Sequence, residues 1–183
     1  MKKSNIFLYC AIFIIGSVLI GLSFIDTVKP NEDYPMLNKY NNITFISSDE
    51  LIEKINNKES FVVTLGFHQC PWCQAIVPNL DLAAKNARKD IYYCDILEMR
   101  MHPDGEKKED YEFLKSIFYD LTIDDHQTIG APTTGLFIDG VFKEGFVDTV
   151  EGHVKNCLGV LPPLTKEQSD QLVDKLVKLL ELV

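Results

Sequence analysis

The chain has 183 residues, of which 46% are hydrophobic, 25% charged and 10% aromatic, enough for one domain with its own core and too apolar for wholesale disorder or low-complexity architecture. Eighteen basic residues stand against 27 acidic ones, a formal net charge of -9 with no basic patch to offset it. A phosphate backbone is repelled by such a surface, so no nucleic-acid partner is expected.

From Ile6 to Ile25 the sequence runs 20 residues without a charge. At about 1.5 Å per residue a helix of that length crosses the roughly 30 Å hydrocarbon layer. No Ala-x-Ala site follows it, so residues 1–25 read as an uncleaved N-terminal membrane anchor; cleavage is the other reading, and it leaves a secreted domain. Lys2 and Lys3 before the stretch and Asp26 after it keep the N-terminus in the cytoplasm and place the remainder outside. Cys10 inside the stretch reads as a small buried hydrophobe. Residues 26–42, with Pro30, Pro35 and no periodicity, read as an extracytoplasmic tether.

Ile43–Ile46 has strand character, and Ser47 with Glu50 forms a capping box before a helical stretch. Phe61–Phe67 (FVVTLGF) is an apolar, β-branched run of the kind buried on both sheet faces. A helix is expected from Cys70 to Lys89, with Pro71 at its tolerant first turn and Pro78 predicting a kink. Ile91–Ile96 is a further strand, and Glu106–Leu121 has helical spacing of apolar residues. Two β-rich runs between Ala131 and Asp148 meet at Asp139-Gly140, a type I′ hairpin signal. Residues 151–164 are irregular, and a last helix follows the capping box Thr165/Gln168. The order β-α-β-α-β-α-β-β-α predicts an α/β domain over residues 43–183, a central mixed sheet flanked by helices.

The chemistry gathers in Cys70-Pro71-Trp72-Cys73, where a buried strand passes into a helix. The free N–H groups and positive dipole end of a helix N-terminus stabilise a thiolate, which makes Cys70 the nucleophile. Cys73, one turn further in, closes or resolves a disulfide with it. Pro71 removes an N–H that the helix start does not use, Trp72 offers an apolar surface beside the sulfur, and His68 and Gln69 are placed to tune the site.

With the strand FVVTLGF before CPWC, Pro78 five residues after the second cysteine, Ala131-Pro132-Thr133 ahead of a hairpin, and this element order, the chain resembles the thioredoxin family from Ile43 to Val183. The resemblance implies a thiol–disulfide oxidoreductase with a cis Pro132 facing the two cysteines, and a substrate-binding groove flanked by Ala131 and Thr133. It implies a cysteine-containing protein or peptide substrate and a second redox protein as partner. No metal or organic cofactor is implied, and a monomer is expected. The aspartate that thioredoxins bury six residues before the first cysteine is Thr64 here, so the Cys73 proton needs another acceptor, water or a side chain. Proline directly after Cys70 is more similar to glutaredoxins and exported disulfide-forming oxidases. Anchor, exported domain and motif together look like the bacteriocin transport accessory proteins of Gram-positive bacteria.

Other readings stand beside these. A zinc site needs two further ligands, for which His68, Cys94, His153 and Cys157 are the candidates, although none completes a second CxxC. The fold also serves as a binding or chaperone-like accessory module without turnover. Cys94 reads either as an inert buried thiol or as the partner of Cys157 in a second disulfide. His102, His126 and His153 read as solvated, and Gly135 and Gly140 as backbone positions with no phosphate-binding role.

Overall fold

Strand β2 (Phe61–Gly66) is buried at every residue because it is the centre of a five-stranded sheet whose two faces are both covered. The computed structural model describes residues 30–183, so the apolar stretch 6–25 lies outside the described residues. Among the described residues no helix is long and apolar enough to cross a membrane. Strand β1 (Ile43–Ile46) and β2 each pair in parallel with β3 (Ile91–Asp95). On its other side β2 pairs antiparallel with β6 (Thr133–Ile138), which pairs antiparallel with the edge strand β7 (Val141–Val147). The order β1-β3-β2-β6-β7 is a thioredoxin-like arrangement, a mixed sheet with helices on both faces.

Side-chain alternation along β2 divides the core. Val62 faces the cluster beneath helices α3 (Pro71–Ala87) and α6 (Lys166–Glu181), with Ile76, Leu80, Leu172 and Leu176. Phe61, Val63 and Leu65 face the opposite cluster, with Leu51 and Ile55 of α2 (Ser48–Asn56) and Tyr111 and Leu114 of α5 (Lys108–Ile117). Both expected capping boxes are present, at Ser47/Glu50 and Thr165/Gln168. The hairpin turn has positive φ at Asp139 (52°) and Gly140 (73°), which a type I′ turn requires.

Two expectations are corrected, and one further hairpin was not expected. The stretch 26–42 is not a free tether throughout: α1 (Pro30–Asp33) leads into Tyr34 and Leu37, both buried in the core. Apolar singletons show no period, yet two of them suffice to pin a segment. Helix α3 continues through Pro78, with Val77 and Leu80 buried on either side of it. The region 97–121 forms two helices, α4 (Leu97–Met101) and α5, then a 3-10 turn at Tyr119–Leu121. A further hairpin pairs β4 (Thr122–Ile123) with β5 (Thr128–Ile129), strands of two residues each that are too short to leave an alternating pattern.

Candidate active site

The turn from β2 into α3 makes Cys70 the N-cap of the helix, a place usually held by an oxygen-bearing side chain. Its sulfur accepts the Cys73 backbone N–H at 3.3 Å, while Pro71 occupies the first helical position. As a thiol, Cys70 Sγ donates to the Ala131 carbonyl at 3.2 Å, and the Ala131–Pro132 peptide bond is cis. Cys70 is 6% exposed and Cys73 is fully buried.

The two sulfurs differ sharply in acidity. The Cys73 thiol donates to the Cys70 sulfur, the Cys73 and Trp72 backbone N–H groups point at it, and Arg100 lies close by. Together these outweigh burial and bring Cys70 down from 9.0 to about 7. Cys73 moves the opposite way: burial, the hydrogen bond to Cys70 and the Cys70 charge all hold its proton on, with the Phe67 backbone and the Tyr93 hydroxyl pulling weakly against them. At neutral pH one sulfur is therefore partly thiolate and its neighbour is a thiol.

Arg100 belongs to α4, where its guanidinium donates to the Ile129 carbonyl at 3.3 Å and lies 5.5 Å from the centre of the Phe67 ring. Tyr34 and Tyr93 lie under the cysteine-bearing helix. The Tyr34 hydroxyl donates to the Tyr93 hydroxyl at 2.7 Å. A methyl group built on Gly66 would stand 2.3 Å from the Tyr93 oxygen and 2.8 Å from Cys73 Sγ, so this glycine keeps open the space between them. Thr64 bonds Thr134, hydroxyl to hydroxyl at 2.9 Å, within the sheet. Gln74 donates to both the Asp33 and His68 carbonyls at 2.7 Å, fastening the end of α1 to the loop before Cys70.

Of the residues expected at the groove, Ala131 is half-buried and presents backbone beside Cys70. Pro132 is buried and its carbonyl accepts from Asp148 N at 2.8 Å. Thr133 opens β6 between Leu65 and Val147, with its side chain fully buried and its hydroxyl on the Gly130 carbonyl at 2.9 Å. Trp72 is half-buried; its indole N–H donates to the His153 carbonyl at 3.3 Å, and Lys155 Nζ lies 5.0 Å from the ring centre. The irregular segment 151–164 is thereby tied to the active-site helix.

His153 is buried, a correction, with its ring nitrogens on Thr149 Oγ1 at 2.6 Å and the Pro162 carbonyl at 2.8 Å. His102 and His126 are exposed. Cys94 and Cys157 are free thiols in this structure, the first fully buried in β3 and the second exposed. Among the described residues no three His, Cys, Asp or Glu side chains group to hold a metal ion. Arg100, Gln74, Tyr34 and Tyr93 were not singled out from sequence. The β2/β3 pairing sets Tyr93 opposite Thr64, a register that only the folded sheet reveals.

No family model matches the chain, and no curated protein matches its sequence. Among solved structures it is similar to a thioredoxin from Nicotiana alata, at 17% identity over 78% of this chain and 96% of that chain with a TM-score of 0.45. It is also similar to a mutant thioredoxin from Halobacterium salinarum, at 16% identity over 80% and 99% with a TM-score of 0.44. Thioredoxin O1 from Arabidopsis thaliana, in its oxidised state, aligns at 20% identity over 60% and 88% with a TM-score of 0.42.

Proposed function

We propose that the chain is a thiol–disulfide oxidoreductase whose Cys70 thiolate attacks a disulfide and whose Cys73 resolves the resulting mixed disulfide. The observation that carries this reading is the acidity contrast: Cys70 at about 7, with its sulfur capping a helix, against a buried Cys73 that keeps its proton. An attacking thiol works best with a pKa near ambient pH, and a protonated resolving thiol does not compete with it for substrate. The half-buried backbone at Ala131 beside Cys70 is a place for an extended substrate strand to pair. The substrate class is a cysteine-containing polypeptide exported by the same cell, and electrons pass to or from a second redox protein. The uncharged stretch 6–25 supports a single-pass anchor that holds this domain outside the cytoplasm.

The test equilibrates the full chain in glutathione buffers of graded potential, followed by alkylation and peptide mass counting. A reversible Cys70/Cys73 couple is expected, and Cys70→Ser abolishes it. A couple near about -120 mV marks a disulfide donor and one near about -270 mV a reductant. A chain with no reversible couple is not an oxidoreductase, and the groove is then that of a binding module.

A further inference from the structure

Resolution by Cys73 turns a buried thiol into a thiolate at the moment its sulfur attacks, and a charge in that position needs a donor. Thr64, at the place of the thioredoxin aspartate, is already bonded to the Thr134 hydroxyl. Tyr93 is fully buried in β3, and its oxygen already accepts from Tyr34, so its single hydrogen is directed elsewhere. The gap left by the missing side chain of Gly66 separates that hydroxyl from Cys73 Sγ. We propose that Tyr93 is a catalytic residue, its hydroxyl donating to the Cys73 sulfur as that sulfur becomes anionic, with Tyr34 as the positioning residue behind it.

The inference rests on the oxidoreductase reading. In the mixed disulfide between Cys70 and a substrate sulfur, Cys73 Sγ attacks Cys70 Sγ. The Cys70–Cys73 bond forms and the Cys70–substrate bond breaks. The departing substrate thiolate takes up the proton that Cys73 releases. Over the full cycle the substrate disulfide gains two electrons and the Cys70/Cys73 dithiol loses two.

The electrostatics agree with a donor and not a base. Burial and the Cys73 charge hold the proton on Tyr93, while the Tyr93 hydrogen bond eases ionisation of Cys73. Burial likewise keeps Tyr34 protonated, with Cys73, Asp95 and Asp33 adding to that effect. The charged groups acting on the two hydroxyls are thus the Cys73 thiolate and the Asp95 and Asp33 carboxylates.

The experiment reacts the full reduced chain with oxidised glutathione, quenches by alkylation, and follows the mixed disulfide at Cys70 and the Cys70–Cys73 disulfide by mass across pH. Tyr93→Phe is expected to form the mixed disulfide at the wild-type rate with its midpoint still near pH 7, and to resolve it about tenfold more slowly. Tyr34→Phe slows resolution by about threefold and moves its pH profile upward, as weaker polarisation of Tyr93 requires. The double variant removes both hydroxyls, leaves neither buried without a partner, and resolves as slowly as Tyr93→Phe. Resolution within twofold of wild type in Tyr93→Phe or in the double variant overturns the proposal, as does equal slowing of attack and resolution. A wild type that forms neither disulfide removes the oxidoreductase reading itself, whereas normal turnover in Tyr93→Phe removes only this one.

Discussion

Cys70 and Cys73 are the same residue type three positions apart, and their chemistry is set by what each faces. Cys70 meets the Cys73 thiol, backbone N–H groups and Arg100, whereas Cys73 meets burial and a neighbouring negative sulfur. Alkylation of Cys70 is therefore expected to be half-maximal near pH 7, falling roughly tenfold per pH unit below that. Arg100→Met should slow it roughly twofold at acidic pH and leave the alkaline plateau unchanged, since a nearby positive charge acts only by favouring the thiolate. The Thr64–Thr134 pair gives a stability test at the same scale. Thr64→Val strands a buried hydroxyl and should cost about 1–3 kcal/mol in urea unfolding, and adding Thr134→Val should recover most of it.

Elements with strong local signatures were readable from sequence: the buried β2 run, both capping boxes and the Asp139-Gly140 turn each carry their own physical cause. Those defined by distant partners were not. Tyr34 and Leu37 sit in a polar, proline-bearing stretch, and what fixes them is a core supplied by Tyr93, Phe45 and the α3 and α6 helices. Tyr34→Ala is expected to destabilise the domain by about 3–5 kcal/mol, the loss typical of a large buried ring, which a free tether would not show. The hairpin turn is equally constrained: a Cβ on Gly140 would lie 2.2 Å from the Ile55 carbonyl, at a φ of 73°. Gly140→Ala should lower the thermal midpoint measurably by calorimetry, through strain and through the shift of α2 needed to make room.

For the whole molecule, the ionisable groups under the active-site helix and in β3 set the alkaline limit. Tyr34, Tyr93, Cys73 and Cys94 all have folded-state values raised by burial above the ordinary 9.0 for thiols and 10.0 for tyrosines. Groups raised in this way contribute stability that is complete below those ordinary values and is lost as pH rises past them. Cys70 has the opposite sign, adding stability above 9.0 that fades as pH falls through about 7. The reduced protein should gain slightly from pH 6 to 8 and lose urea resistance above about pH 9, at up to about 1.4 kcal/mol per pH unit for each group. Cys94→Ala should flatten that fall without touching reactivity. The candidate site was legible as far as its helix-capping cysteine and its cis proline, because CPWC and Pro132 announce themselves in the chain. Arg100, Gln74 and the two tyrosines were not, since their relation to the cysteines exists only once β3, α4 and the segment before β1 are brought together.

Trp72 is the single tryptophan of the chain, with its indole against the His153 carbonyl and the Lys155 ammonium above its ring. Light emitted by this protein on tryptophan excitation therefore originates two residues from the proposed nucleophile. A neighbouring disulfide quenches indole emission and a thiol pair does so less. The unlabelled molecule thus carries its own optical gauge of the Cys70/Cys73 state, and any release of the 151–164 segment registers in the same signal as a wavelength shift.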